Sequence, residues 1–311
     1  MIYVHLGLPE EEATYLRNQV NDDQLRFGDE LAEDERESQC RQAEIILGNP
    51  PPAWIRDSSS LRWLQLSSAG FGQYTGWAGQ ELPFTITNCA EIFGIPVAET
   101  ALAGVLSLLR FIPTFVTDRQ EAKWRGAAVR SQLGTLTGKR VLILGPGSIG
   151  GSFRKLLAGF NCRVETMGNR SRADFYTLGE LDDRLPEADV VMAALPDTEV
   201  TKGMFDAARI QRMSSTCIFV NVGRGSLVDE AALIERLRAD ELGGAVLDVT
   251  RHEPLPPGDP LWQAPRTILT QHSGGGAQDE HRRIVDRFLD NLEHFKAGRE
   301  LDYQVDLARG Y

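Results

Sequence analysis

Little in these 311 residues supports a disulfide framework, a membrane span or a nucleic-acid surface. Cysteine is scarce: Cys40, Cys89, Cys162 and Cys217 are the four, and none forms a C-x-x-C pair. That argues against a stapled secreted domain and points to a reducing compartment. Cys162 and Cys217 fall in apolar, strand-like runs, where a small buried thiol is the expected occupant. Positive charge is in deficit. With 33 Lys and Arg against 44 Asp and Glu, the net charge is −11, which offers no basic stripe to a nucleic acid or an anionic membrane. The acids crowd early, at Asp22, Asp23, Asp29, Glu30, Glu33, Asp34, Glu35 and Glu37, a pattern that reads as a solvated helical face. Long apolar runs are missing too. The most apolar helical stretch, 98–116, holds only a short uncharged core between Glu99 and Arg110, whereas a span needs roughly 20 apolar residues. Met1 leads into the apolar run Ile2 to Leu8 without a basic segment, so no signal peptide is expected and the location expected is cytoplasmic. The histidines and cysteines show no metal-ligand spacing, which predicts no catalytic metal.

What is present is an ordinary globular composition with a strong alternation. The length suggests two domains of about 150 residues each. Short apolar runs alternate with amphipathic stretches from end to end, the pattern of parallel sheets with helices on both faces. Strands are predicted over 1–6, 44–48, 62–66 and 84–87, with a turn at Pro50-Pro51-Pro52. A helix is predicted over 97–111, with Pro96 in its first turn and Pro113 at its end or at a kink. Beyond Gly138 come strands over 140–144, 163–167, 189–194, 217–221, 243–249 and 267–270. Helices are predicted over 148–160, 204–213, 229–239 and 277–297. Residues 95–275 thus read as one complete doubly wound unit. Residues 1–94 and 276–311 are expected to join as a second, because the final helix is too isolated to fold alone.

Within that pattern, Gly145-Pro146-Gly147-Ser148-Ile149-Gly150 follows an apolar strand and opens a helix. A lone G-x-G-x-x-G is weak, but strand, spacing and helix together predict a dinucleotide site. The first glycine makes the turn, the second admits the pyrophosphate, and the third lets helix and strand pack. The N–H groups of Ser148 and Ile149 would face the diphosphate, aided by the helix dipole. An NAD site usually carries an acid about 20 residues further on, on the ribose 2′-OH. Here Gly168 takes that place, followed by Asn169-Arg170-Ser171-Arg172. No carboxylate repels a 2′-phosphate and two guanidinium groups can pair with it, which predicts NADP(H), with NAD(H) the less favoured cofactor.

Ligands of an open parallel sheet bind outside the carboxyl ends of its strands, and three polar residues are expected there. Arg224 sits between Gly223 and Gly225, and a guanidinium can hold a carboxylate and polarise the adjacent carbonyl. Glu253 lies in His252-Glu253-Pro254-Leu255, and His272 in Gln271-His272-Ser273-Gly274. Singly, each reads equally as an ion pair or a loop residue. Together they suit the reduction of a 2-keto acid. Arg224 would stabilise the developing alkoxide, His272 would donate the proton, and Glu253 would favour the protonated imidazole.

These residues resemble the D-isomer-specific 2-hydroxyacid dehydrogenases, and the match covers nearly the whole chain. Val97-Ala98-Glu99 is similar to that family's opening of the interdomain helix, and Gly134 to Lys139 to the approach to its cofactor domain. Leu195-Pro196 with Thr198 and Thr201, then Asn221 to Asp229, is similar to its central signature. Asp248 through Leu255 and His272 through Gly275 complete the set. The resemblance implies Arg224, Glu253 and His272 as catalytic residues. It implies Ser68-Ala69-Gly70 as the segment that receives the substrate carboxylate, together with Arg224 and His272. Leu195, Pro196, Thr201, Val222, Gly223, Arg224, Asp248, His272 and Gly274 would join the glycine loop around the cofactor. The fold implied is α/β, with two doubly wound parallel-sheet domains: a Rossmann cofactor domain inserted in a flavodoxin-like substrate domain. A homodimer is implied, with the helix near 98–116 contributing to its interface.

The length and the segment 168–172 look most like the bacterial NADPH-dependent glyoxylate/hydroxypyruvate reductases. Two departures stand out. Gln271 replaces the proline common before the histidine, and Phe71-Gly72-Gln73-Tyr74 replaces the more usual Val-Asp after Gly70. A second reading is an NAD(P)-binding regulatory protein on the same scaffold; turnover of a 2-keto acid with NADPH separates the two. Oxidation of formate is disfavoured, since such enzymes usually carry Gln where Glu253 stands.

Overall fold

A computed structural model describes residues 1–20, 24–168 and 173–308. The chain divides into two compact units. One is Met1–Phe93 together with the segment that starts at Ala277; the other is Gly94–Gly276.

The first unit is built on five short parallel strands: β1 (Ile2–His5), β2 (Leu25–Phe27), β3 (Ile45–Gly48), β4 (Trp63–Gln65) and β5 (Thr85–Thr87). Their order is β2-β1-β3-β4-β5, the flavodoxin-like arrangement. Side chains alternate across the sheet, so each face has its own core. Ile2, Val4, Ile45, Leu47 and Trp63 pack with Leu16, Phe288 and Leu292 on one side. Tyr3, Ile46, Leu64 and Ile86 pack with Cys40, Ile55 and Tyr74 on the other. The helix Glu280–Lys296 is what closes the first face: Phe288 stacks on Trp63 with centroids 5.1 Å apart. A buried polar chain fixes it there. Asn291 donates to Gln65 Oε1 at 3.0 Å, Gln65 Oε1 also accepts from Thr87 Oγ1, and Thr87 Oγ1 accepts from Trp63 Nε1.

The second unit carries six parallel strands: β6 (Arg140–Leu144), β7 (Arg163–Met167), β8 (Val190–Ala193), β9 (Ile218–Asn221), β10 (Gly244–Leu247) and β11 (Thr267–Leu269). The order is β11-β10-β9-β8-β6-β7, and Phe175 adds a single parallel bridge beyond β7 at Met167. The order reverses between β6 and β8, which makes their carboxyl ends the switch point. β8, β9 and β10 are buried throughout, as strands covered on both faces must be. The helix Gly94–Leu109 lies on β10 so closely that a Cβ at Gly104 would stand 2.5 Å from Val246 Cγ1.

Several expectations shift. The helix foreseen at 97–111 runs Gly94–Leu109. Of the two roles foreseen for Pro113, the kink is the one seen: it stands in the first turn of a second helix, Ile112–Gln120, set 65° from the first. Phe111 makes the corner with a left-handed backbone, φ 57°. Among the described residues no single helix is long and apolar enough to cross a membrane. The early acidic run is not one helical face. Leu25–Phe27 is strand, Asp29 and Glu30 lie in a 3-10 turn, and only Glu33–Gln42 is helix; Asp22 and Asp23 lie outside the described residues. A three-residue strand leaves too little periodicity to read. The helix Leu178–Arg184 went unforeseen, although Thr177 and Glu180 form the capping box that signals it. Cys162 is half-buried rather than buried.

Candidate active site

The carboxyl ends of β6, β8 and β9 meet backbone to backbone. At Gly145 (φ 107°) a Cβ would stand 2.5 Å from the carbonyl oxygen of Ala194, and at Gly223 one would stand 2.5 Å from that of Leu195. A Cβ at Gly150 would strike the Gly145 carbonyl at 2.0 Å, so this glycine lets the helix Ser148–Leu157 start against its own loop. Gly147 differs. A Cβ there would meet nothing within 4 Å, so the second glycine faces open space. Two glycines that close the turn and one that leaves room above the first turn of a helix fit a dinucleotide diphosphate. Glu165, within β7, is engaged elsewhere, by Arg140 and Arg184. Asn169, Arg170, Ser171 and Arg172 lie outside the described residues.

The loop after β8 is braced by its own hydroxyls. Thr201 is buried and its hydroxyl donates to the Pro196 carbonyl at 2.6 Å, while accepting from the Thr198 amide. Thr201 therefore shapes the Leu195-Pro196 turn. After β9, the buried Asn221 holds the next turn: its Oδ1 accepts from Gly223 N–H and its Nδ2 donates to the Arg224 carbonyl. Val222 is buried beneath. Arg224 is half-exposed, and its Nη1 donates to the Gly223 carbonyl at 2.6 Å. That contact sets the guanidinium over its own loop and leaves Nε and Nη2 for an anion.

After β10 and β11 the chain builds a second cluster. Asp248 is buried, and its Oδ1 accepts from Thr270 Oγ1 at 2.6 Å, from Ser273 N–H at 3.1 Å and from Gly274 N–H at 2.9 Å. A Cβ at Gly274 would press on that carboxylate, at 2.9 Å. Asp248 thus winds the turn in which Gln271 and His272 both take positive φ, 56° and 55°. The turn presents the imidazole to Glu253: His272 Nδ1 lies 2.6 Å from Glu253 Oε2. The other oxygen, Oε1, accepts from Thr250 N–H at 2.9 Å. With Nδ1 engaged, Nε2 is the nitrogen left to face a substrate. A cavity of about 430 Å³ adjoins the pair, walled by Leu247, Leu255, Trp262 and Leu269. His252 offers only its carbonyl, to Thr250 Oγ1.

The backbone turn that carries Arg224 touches this cluster through the next residue. A Cβ at Gly225 would overlap the Thr250 carbonyl at 2.0 Å and Arg251 N at 2.4 Å, so the turn of Arg224 rests on the segment that leads to Glu253. Covalent thiol chemistry has no support. Burial pushes the Cys40, Cys89 and Cys217 thiols up to about 12, where the thiolate is absent. Among the described residues no group of three His, Cys, Asp or Glu side chains could hold a metal ion.

Ser68, Ala69 and Gly70 belong to the first unit, where they follow β4. Asn49 and Asn88 hold the loop. Asn49 accepts from Ser67 N–H at 3.1 Å and donates to Ser68 Oγ at 2.9 Å; Asn88 donates to the Ala69 carbonyl at 3.0 Å. Among the described residues the amides of Ala69 and Gly70 have no acceptor. Two adjacent amides of that kind suit a carboxylate. Sequence reasoning did not single out Asn49 or Asn88, which carry no local signature.

A family model described as "D-isomer specific 2-hydroxyacid dehydrogenase, NAD binding domain" matches residues 102–274. The chain is 30% identical to glyoxylate/hydroxypyruvate reductase B of Citrobacter koseri, over 80% of each chain. It resembles the crystal structure of a D-isomer specific 2-hydroxyacid dehydrogenase family protein from Aeromonas salmonicida, with TM-score 0.82, 30% identity and 98% of both chains covered. It also resembles that of a D-isomer specific 2-hydroxyacid dehydrogenase from Xanthobacter autotrophicus in complex with NADPH and MES, with TM-score 0.84, 26% identity, and 100% of this chain and 99% of that one covered.

Proposed function

Since this chain belongs to the D-isomer specific 2-hydroxyacid dehydrogenase family, we propose that it reduces a small 2-keto acid, glyoxylate, hydroxypyruvate or one similar, to the D-2-hydroxy acid, with NADPH as the preferred reductant. The observation that carries this reading is the 2.6 Å contact of His272 Nδ1 with Glu253 Oε2 beside the carboxyl ends of a sheet whose glycine loop fits a diphosphate. When bound, the nicotinamide supplies a hydride for the carbonyl carbon. His272 holds the proton on Nε2 and gives it to the carbonyl oxygen. Glu253 fixes the ring through Nδ1. Arg224 binds the carboxylate and stabilises charge growing on the neighbouring oxygen. On the first unit, the amides of Ala69 and Gly70 are suited to a carboxylate.

Preference for NADPH rests on Gly168 in place of an acid and on Arg170 and Arg172 after it. The NADPH complex of the Xanthobacter relative is in keeping with it. Grafting an acid at position 168 is a poor test, because a Cβ there would lie 2.9 Å from Pro146 Cγ. The arginines are the better probe. A panel of 2-keto acids assayed with both cofactors identifies the substrate. The double variant R170A/R172A is then expected to lower kcat/KM for NADPH at least about tenfold and to leave that for NADH nearly unchanged. An unaltered NADPH/NADH ratio would overturn the preference. The same reading includes a cytoplasmic homodimer joined near the helix Ile112–Gln120, where Ile112, Phe115 and Val116 stand exposed.

A further inference from the structure

We infer that Glu230 is a positioning residue for this reduction, holding the segment that carries Glu253 in register with the turn of Arg224. The inference rests on the reading of Arg224, Glu253 and His272 given above.

Glu230 opens the helix Glu230–Arg238, but the helix does not need it as a cap. Asp229 does that work, its Oδ1 accepting from Ala232 N–H at 3.1 Å. Glu230 turns away instead, and its Oε1 accepts from Arg251 N–H at 2.6 Å. Burial raises its carboxyl above the usual range, and Asp259 adds to this, against the Arg251 amide and the charges of His252 and Arg251. A half-buried acid tied to one loop amide is costly for a group with only a helix to stabilise.

The other side of the same segment explains the arrangement. Gly225, next to Arg224, has room for no side chain against Thr250 and Arg251. Residues 250 and 251 are therefore clamped, with Gly225 pressing on one side and the Glu230 carboxylate drawing on the Arg251 amide. From the clamp the contacts run outward: Thr250 N–H to Glu253 Oε1 at 2.9 Å, Thr250 Oγ1 to the His252 carbonyl at 2.8 Å, and Glu253 Oε2 to His272 Nδ1 at 2.6 Å. One short stretch from Arg224 to Glu230 thus fixes both the guanidinium turn and the carboxylate that orients the imidazole. Its task needs an acceptor oxygen at the right reach, not a charge.

Three variants of the full-length chain separate these properties, assayed with NADPH and the best 2-keto acid of the panel. Glu230→Gln keeps an acceptor at the same reach, Glu230→Asp keeps the charge but falls short, and Glu230→Ala has neither. Glu230→Gln is expected to stay within about twofold of wild type. Glu230→Asp and Glu230→Ala are expected to lose about ten- to a hundredfold in kcat, with KM for NADPH unchanged. Wild-type kcat in Glu230→Ala overturns the inference. So does a Glu230→Gln enzyme as impaired as Glu230→Asp, or a loss that falls on KM for NADPH rather than on kcat. Should Glu230→Ala fail to fold, the Gln and Asp pair decides alone. A wild type that turns over no 2-keto acid removes the proposed reaction and this inference together, whereas the other outcomes remove the inference only.

Discussion

At the residue scale, the histidine turn is the most informative detail. Gln271 sits at φ 56°, a value closed to proline, whose ring holds φ near −65°. The departure from the family's usual proline is therefore a change of backbone, stabilised by three hydrogen bonds to Asp248 Oδ1. The Glu253–His272 pair that this turn presents has a definite kinetic consequence. The carboxylate holds the ring by its Nδ1 at 2.6 Å, and an amide in its place can turn an N–H toward that nitrogen. Glu253→Gln should therefore lose about ten- to a hundredfold in kcat for reduction. A kcat within about twofold of wild type would remove Glu253 from the reaction. Arg224, Glu253, His272 and the glycine loop were legible because each lies where a predicted strand ends. Asn49, Asn88 and Glu230 were not, because most of their partners lie on loops far along the chain and no spacing announces them.

At the scale of elements, the long helices and the inner strands of the second unit could be read directly, since full burial writes continuous apolar runs such as Val190–Ala193. The thin strands could not: Leu25–Phe27 offers only two buried residues. The helix Glu280–Lys296 was legible as a helix, but its importance lies in what it covers. Phe288 is fully buried against Trp63. Phe288→Ala should therefore cost about 3–5 kcal/mol of unfolding free energy in urea titration, part lost transfer energy and part cavity. A cost below about 1 kcal/mol would mean that the first unit does not depend on this helix.

For the whole molecule, the exposed apolar residues of the helix Ile112–Gln120 bear on assembly. If Ile112, Phe115 and Val116 face a second copy, sedimentation at micromolar concentration should read twice the 34.4 kDa chain mass. The variant F115E/V116E should then return the monomer, because a charge buried without a partner is costly. A wild-type monomer would remove the proposal. The twofold division of the chain was visible in the sequence through its two runs of alternating segments. Its interleaving followed from the isolation of the last helix.

That interleaving sets an order on synthesis. Residues 94–276 leave the ribosome as a finished set of strands and helices. The strands around Trp63 must wait for residues made much later, because their apolar face is closed only once Phe288 and Leu292 have emerged. An early-made sheet thus stays open on one side while a whole later-made unit takes shape.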